Sequence, residues 1–166
     1  FTREMWGRPW CYAHNGQLSS WESLALGNYT PVGSTDSEHA YCWLMGELRR
    51  TFPTPPAEPE VLWERLHQLC EQLRALGVFN MLLSDGRYLY TFCATKLAHI
   101  TRCAPFGDAE LSDAEMTVNF AEHTTPDDIV SVIATEPLTH NEAWQRMVPG
   151  ELLVWRDGEI QARYCP

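Results

Sequence analysis

The hydrophobic period of the sequence changes near residue 77, and this change indicates the class of fold. Before it, leucines recur at helical spacing and predict an amphipathic helix with Gly77 as its C-cap. These leucines are Leu62, Leu66, Leu69, Leu73 and Leu76. After it, two apolar runs at 78–84 and 87–94 flank Asp85-Gly86, a pair typical of a tight hairpin. Helical and strand segments that lie in separate blocks of the sequence favour an α+β fold.

A second helix is predicted to begin at Thr35, because Thr35 and Glu38 have the spacing of a capping box. In that motif the Thr hydroxyl accepts the third helical N–H, and the Glu side chain returns to the N-cap N–H. Arg49 and Arg50 suit the far end of this helix, where the helix dipole favours positive charge. A connector with four prolines at 51–59 separates it from the leucine helix.

The remaining segments read mostly as short strands. Residues 1–9 show no period and are predicted to be irregular. A strand at 10–13 ends at Asn15-Gly16, and 17–34 reads as loop. Downstream we predict strands at 99–103 and 128–135, the latter buried, a loop at 104–117, a helical turn at 143–148, and a closing hairpin formed by 151–155 and 159–164.

Composition limits the classes of partner. The chain has 166 residues, 45% of them hydrophobic, which is enough for one domain with a sizeable core. A net charge of −10 repels phosphate backbones, so nucleic acid is not expected as a partner, and no apolar stretch is long enough to cross a bilayer. The six cysteines form no Cys-x-x-Cys pair, which favours a reducing, cytoplasmic setting.

Asn15-Gly16 is a candidate for stabilising an oxyanion. An Asn amide donates two N–H bonds, and Gly lets the backbone come close to a ligand. Acyl-transfer sites need such donors where negative charge develops. A turn explains the same dipeptide without any ligand, and both interpretations stay open on the sequence.

Asp36, at the first position of the predicted helix, is a candidate partner for the ammonium group of an amino-acid substrate. It could equally be an acid that suits the helix dipole. A metal site is not predicted: His14 and Cys11 would lie on opposite faces of a strand, and Cys42 and His39 share a helix face without two further ligands at motif spacing.

Taken together, these residues resemble the class II glutamine amidotransferase domain, in particular its free-standing bacterial subgroup. The resemblance is carried by several stretches that run nearly end to end. These are residues 1–4, 10–16, 35–38, 77–86, 132–139 and 149–151. Each stretch alone is weak, whereas the combination is specific.

The resemblance implies a fold of the N-terminal-nucleophile hydrolase type, with two antiparallel sheets between helical layers. It implies that Asn15 and Gly16 form the oxyanion hole and that Asp36 binds the α-amino group of the substrate. His14 and Thr35, which flank these residues in the matching stretches, are assigned to the substrate site. The expected substrate is glutamine or a γ-glutamyl compound, an ammonia-accepting protein is a possible partner, and no cofactor or metal is expected.

The sequence also departs from the family pattern. The nucleophile of the family is an N-terminal cysteine, whereas this sequence starts at Phe1, and Cys11 lies in a different motif. The arginine that grips the substrate carboxylate in the family has no match either. We therefore interpret residues 1–166 as the C-terminal part of a single amidotransferase domain, with the nucleophile on an upstream segment.

Three hypotheses follow from the sequence. The first is a glutamine amidotransferase or γ-glutamyl amide hydrolase. The second is an inactive relative that binds glutamine or a γ-glutamyl compound. The third is a different hydrolase that uses Cys11 or Cys42 with a histidine, and it predicts that one of these thiols has a strongly lowered pKa.

Overall fold

The computed structural model describes residues 1–112 and 117–166, which form a mixed α+β fold with antiparallel sheets and two helices, as predicted. The helices are α1 (Asp36–Thr51) and α2 (Pro59–Arg74). The strands are β1 (Thr2–Met5), β2 (Arg8–Asn15), β3 (Asn80–Ser84), β4 (Leu89–Cys93), β5 (Ala98–Cys103), β6 (Asp108–Glu110), β7 (Thr117–Asn119), β8 (Ile129–Ala134), β9 (Gln145–Arg146), β10 (Glu151–Arg156) and β11 (Glu159–Tyr164).

The main sheet has six antiparallel strands in the order β1-β2-β3-β4-β10-β11. A second sheet has three strands in the order β8-β5-β9, and β6 pairs with β7. Both predicted hairpin pairs lie at tight turns: Gly86 has φ +78°, while Asp157 and Gly158 have φ +52° and +81°. Positive φ at these positions suits the twist of antiparallel strands.

The two faces of the main sheet pack against different layers. One face packs against both helices and contributes alternate side chains of its central strands, such as Tyr12, Met81 and Phe92. The opposite face supplies Leu153 and Trp155 to a smaller core shared with the second sheet. The period of two along each strand produces this division. The layers therefore follow the order helices, main sheet, second sheet.

The start of α1 differs from the predicted capping box in one respect. The Thr35 hydroxyl accepts the Glu38 N–H at 3.2 Å, as predicted. The Glu38 carboxylate does not return to the N-cap, because it accepts the N–H groups of Val32 at 3.1 Å and Gly33 at 2.7 Å. It also pairs with Arg3 on β1 at 2.5 Å. Glu38 thus fastens the preceding loop and β1 to the helix.

Two predictions about helix and strand ends were wrong. Residues 1–9 are not irregular, since β1 pairs with β2 through a turn in which Trp6 and Gly7 have φ +57° and +76°. Tryptophan rarely occupies this region, so the turn carried no recognisable signal. Gly77 is not the C-cap of α2, which is Ala75. A Cβ on Gly77 would lie 2.3 Å from the Gln17 carbonyl oxygen, so close packing explains this glycine.

Three predictions for the C-terminal half also need correction. The strand β8 matches 128–135 but is exposed to half-buried rather than buried, because it lies at an edge of its sheet. The predicted helical turn at 143–148 contains β9 instead, whose pairing with β5 overrides the local helical pattern. The predicted loop at 104–117 contains β6 and the first residue of β7. Part of it, 113–116, lies outside the described residues.

All six cysteines are free thiols. Within the described ranges no helix is long and apolar enough to span a bilayer.

Candidate active site

The end of β2 places Gly16 against the entry to β3. Gly16 has φ +151°, and a Cβ at this position would lie 1.9 Å from the Val78 carbonyl oxygen and 3.0 Å from His14 Nε2. A side chain would collide with backbone here, which explains why glycine follows Asn15. The peptide at Asn15-Gly16 is therefore held at close range by its neighbours while both residues remain exposed.

Asn80 fixes the backbone of Asn15 from the neighbouring strand. The two residues are partners in the β2–β3 register, and the Asn80 amide donates to the Asn15 carbonyl at 3.2 Å. The Asn80 side-chain oxygen accepts backbone N–H groups of Ala94, Thr95 and Lys96 at 2.9, 3.0 and 3.3 Å. Asn80 is buried, and these bonds satisfy its polar atoms. It joins the end of β2 to the turn after β4.

Asp36 lies at the start of α1, and its carboxylate is oriented by backbone N–H groups. One oxygen accepts the Leu18 N–H at 2.8 Å, and the other accepts the Ser37 N–H at 2.7 Å. Asp36 is half-buried. The contact with Leu18 brings the start of α1 to the chain that follows Asn15-Gly16, although 18 positions separate the two residues.

Both ring nitrogens of His14 bond within the chain. Nε2 lies 3.0 Å from the Val78 carbonyl oxygen, and Nδ1 lies 2.8 Å from the Ser37 hydroxyl. A carbonyl only accepts, so Nε2 carries a proton and donates. The ring also packs against Phe79 and Tyr12, with centroids 5.1 and 6.4 Å away. His14 thus bridges α1 and the segment before β3.

Thr35 contributes its hydroxyl to the helix cap, where it is exposed to solvent. In the first turn of the same helix, the backbone N–H groups of Gly33 and Val32, together with the Arg3 guanidinium, lower the pKa of the Glu38 carboxyl from its usual value. The charged carboxylate is thus the stable form of Glu38 where it anchors the loop before Thr35.

The structure therefore assembles the predicted residues into one region. His14, Asn15 and Gly16 lie at the end of β2, Thr35 and Asp36 lie at the start of α1, and hydrogen bonds join the two sets. Such a region offers an amide donor, a backbone N–H and a carboxylate, which suits a zwitterionic substrate with a carbonyl at some distance from its ammonium group.

The thiols of this chain give little support to the third hypothesis. Burial raises the pKa of the Cys42 thiol, although Arg3 opposes the effect. His39, one turn of the helix away, uses Nε2 on the Leu24 carbonyl at 3.0 Å. The recorded side-chain contact of Cys11 is the Thr2 hydroxyl at 3.5 Å. Over 1–112 and 117–166, no group of three metal-ligating side chains is present either.

Three residues of this region were missed by the sequence analysis: Ser37, Asn80 and Arg3. Ser37 and Asn80 act through partners far away in the chain, which local patterns do not reveal. Arg3 lay in a segment without a period. Asn80 carried one usable signal, since a polar residue inside an apolar run that forms a central strand needs buried partners.

Comparisons with known proteins support the family. A family model for class II glutamine amidotransferases matches residues 1–166. The chain is 53% identical to the putative glutamine amidotransferase YafJ of Escherichia coli over 156 residues, which cover 94% of this chain and 60% of that protein. It is 37% identical to a putative glutamine amidotransferase of Haemophilus influenzae over 96% of this chain and 54% of that protein.

Solved structures of glutamine amidotransferases share the fold of this chain. The crystal structure of a predicted glutamine amidotransferase from Pseudomonas aeruginosa superposes with a TM-score of 0.88 at 54% identity, over 98% of this chain and 63% of the other. Glutamine phosphoribosylpyrophosphate amidotransferase from Bacillus subtilis shares the fold at 12% identity, with a TM-score of 0.53. The chain thus spans about 54–60% of the two glutamine amidotransferase relatives described above. It belongs to the class II glutamine amidotransferases.

Proposed function

We propose that this chain forms the substrate-holding part of an enzyme that hydrolyses the side-chain amide of glutamine, or of a γ-glutamyl compound. The nucleophile in this proposal is a cysteine on a segment outside residues 1–166. The substrate is a small molecule, and the ammonia released passes to water or to an ammonia-accepting protein. No cofactor takes part.

In this proposal Asp36 binds the α-ammonium group of the substrate. Its two oxygens are already oriented by the N–H groups of Leu18 and Ser37, so the carboxylate need not reorganise on binding. Such preorganisation lowers the entropic cost of holding a charged ligand. Thr35, exposed at the same helix start, lies beside this ammonium position.

Asn15 and Gly16 stabilise the oxyanion. The cysteine thiolate attacks the side-chain carbonyl carbon, and the carbonyl oxygen becomes negative in the tetrahedral intermediate. The Asn15 amide and the Gly16 N–H donate to this oxygen. The carbon–nitrogen bond then breaks, the nitrogen leaves as ammonia after taking a proton, and water hydrolyses the thioester to give the γ-carboxylate and the free thiol.

One observation carries the proposal: the hydrogen bond from the Leu18 N–H to the Asp36 carboxylate at 2.8 Å. It places a carboxylate beside the chain that follows Asn15-Gly16, which supports the proposal that one substrate contacts both. A turn and a helix cap with only structural roles would not require this contact.

The test measures glutamate release from glutamine by the full-length protein, with and without Asn15→Ala. Loss of one oxyanion donor costs about 3–4 kcal/mol of transition-state stabilisation, so we expect kcat to fall by at least a hundredfold while KM stays close to the parent value. Asn141→Ala, in the described loop before β9, serves as the control. Equal turnover by the Asn15 variant and the parent would refute the proposal.

A second candidate is an inactive binding module. The observation in its favour is that the hydrogen-bond partners recorded for His14, Asn15 and Asp36 include no cysteine in the part of the chain that the structure describes. This candidate predicts that the full-length protein binds glutamine in calorimetry without releasing glutamate. A covalent adduct with a glutamine-mimicking diazoketone, counted by intact mass and located by peptide mapping outside residues 1–166, would exclude it.

A further inference from the structure

The two halves of the proposed site lie on different elements of the fold. Asn15 and Gly16 end β2, Asp36 begins α1, and the chain between them contains only one short turn of 3-10 helix, Trp21–Ser23. A connection of this length does not itself fix the separation of its ends. Core packing and the bond from the Tyr41 hydroxyl to the Trp10 carbonyl, 2.6 Å, place α1 as a whole on β2. Direct contacts between the end of β2 and the start of α1 then set the local separation of the two subsites.

Two hydrogen bonds provide these contacts. One joins the Leu18 N–H to Asp36, as described above. The other joins His14 Nδ1 to the Ser37 hydroxyl at 2.8 Å. His14 immediately precedes the oxyanion pair and Ser37 immediately follows Asp36, so this bond spans the two subsites from one neighbour to the other.

The Ser37 hydroxyl lies between His14 and Asp36. Because His14 Nε2–H donates to the Val78 carbonyl, Nδ1 is the ring atom that faces the Ser37 hydroxyl. The same hydroxyl donates to the Asp36 carboxylate at 3.3 Å. Ser37 therefore contacts both the neighbour of the oxyanion pair and the proposed ammonium ligand.

The His14 ring is further confined on the opposite side. A Cβ on Gly16 would lie 3.0 Å from His14 Nε2, so the ring packs directly over the Gly16 backbone. The aromatic rings of Phe79 and Tyr12 also pack against the His14 ring. A shift of α1 relative to β2 would break the bond from Ser37 and change the position of His14 over Gly16.

We propose that Ser37 and His14 are specificity-determining positioning residues that set the distance between the ammonium subsite and the oxyanion subsite. This distance selects the length of the substrate between its α-ammonium group and its side-chain carbonyl. Glutamine differs from asparagine by one methylene in this length. The inference rests on the proposed function, and it adds that discrimination against the shorter amide depends on the His14–Ser37 bond.

The test compares kcat/KM for glutamine and for asparagine in the full-length protein and in Ser37→Ala. We expect kcat/KM for glutamine to fall about tenfold, as for the loss of one hydrogen bond, while the value for asparagine stays within about twofold, so that discrimination narrows. Ser37→Thr keeps a hydroxyl and should retain most of the discrimination. Thr51→Ala removes a hydroxyl bonded at 2.8 Å to Glu47 at the other end of α1, and should change nothing.

The outcomes distinguish failure of the proposed function from failure of the positioning role. A parent protein that hydrolyses neither amide overturns the proposed function and this inference with it. The inference alone is overturned if the parent hydrolyses glutamine but Ser37→Ala lowers kcat/KM for both amides by the same factor, or changes neither value. If Ser37→Ala unfolds within a few degrees of the parent temperature, a folding defect is excluded as the cause. A Ser37→Thr variant that does not retain the discrimination between glutamine and asparagine also contradicts the inference.

Discussion

The side-chain amide of Asn80 donates to the carbonyl of Asn15 at 3.2 Å, while its oxygen accepts three consecutive N–H groups after β4. One buried side chain on β3 thus joins the end of β2 to the turn after β4. Replacement of Asn80 by Ala would remove the acceptor for all three N–H groups, and the N–H of the buried Ala94 would be left without a partner, which is costly.

We therefore expect Asn80→Ala to lower the free energy of unfolding by about 2–4 kcal/mol. Urea unfolding of the parent and the variant measures this change. Asn80→Asp keeps the shape and the acceptor but removes the donor to Asn15, so its loss should be smaller at the same pH. An Asn80→Ala variant as stable as the parent would show that these bonds contribute nothing net.

Gly16→Ala should be strongly destabilising. The added Cβ would lie 1.9 Å from the Val78 carbonyl oxygen, and the φ of +151° is unfavourable for any residue with a side chain. Backbone must shift to relieve the collision, and we expect a loss of at least about 2 kcal/mol in urea unfolding. Gly7→Ala is the control: Gly7 also has positive φ (+76°) but has open space around its Cβ position, so it reports the conformational cost alone.

Asp36→Asn should separate charge from structure. The Asn side chain keeps an oxygen for the Leu18 N–H but loses the acceptor for the Ser37 N–H, so we expect the free energy of unfolding to fall by about one hydrogen bond, roughly 1 kcal/mol. The charge that would hold a substrate ammonium is lost, and charge-assisted hydrogen bonds are about twice as strong as neutral ones. In the full-length protein KM for glutamine should rise at least tenfold with a smaller change in kcat. An unchanged KM would count against Asp36 as the ammonium partner.

Glu38 should make stability depend on pH in the acid range. Its pKa is held down in the folded state by Gly33 and Val32 N–H groups and by Arg3, so the unfolded chain binds the proton more readily. The resulting stability is complete above the unfolded pKa, about 4.3, and is lost as pH falls toward the lower folded pKa.

Urea midpoints at about pH 7 and about pH 3.5 test this dependence. We expect the parent to lose more stability on acidification than Glu38→Gln, which cannot release a proton. Glu22→Gln, at an exposed position in the turn Trp21–Ser23, should lose as much stability on acidification as the parent does. Identical acid sensitivity of the parent and Glu38→Gln would contradict the assignment.

Features encoded by neighbouring residues could be predicted. The Thr35 cap, the leucine face of α2 and the turn at Asp85-Gly86 each depend on residues within a few positions, so the sequence pattern contains the cause. The resemblance then suggested Asn15, Gly16 and Asp36, whose placement near each other agrees with the structure.

Features set by distant contacts could not be predicted. The carboxylate of Glu38 had a local partner available at Thr35, but the structure gives it Arg3 from β1 and the loop N–H groups instead. β9 forms because β5 offers an edge to pair with, which the local helical pattern of 143–148 does not record. Ser37 and Asn80 gain their importance only from partners 23 and 65 positions away.

The edge position of β8 has a consequence for handling the chain in the laboratory. Ile129 and Val130 are 39% and 38% exposed on a strand that, among the described residues, pairs on one side only with β5. An uncharged apolar edge of this kind is a template for strand addition by another molecule. Residues 1–166 produced by themselves should therefore self-associate as concentration rises, and Val130→Lys should improve their solubility.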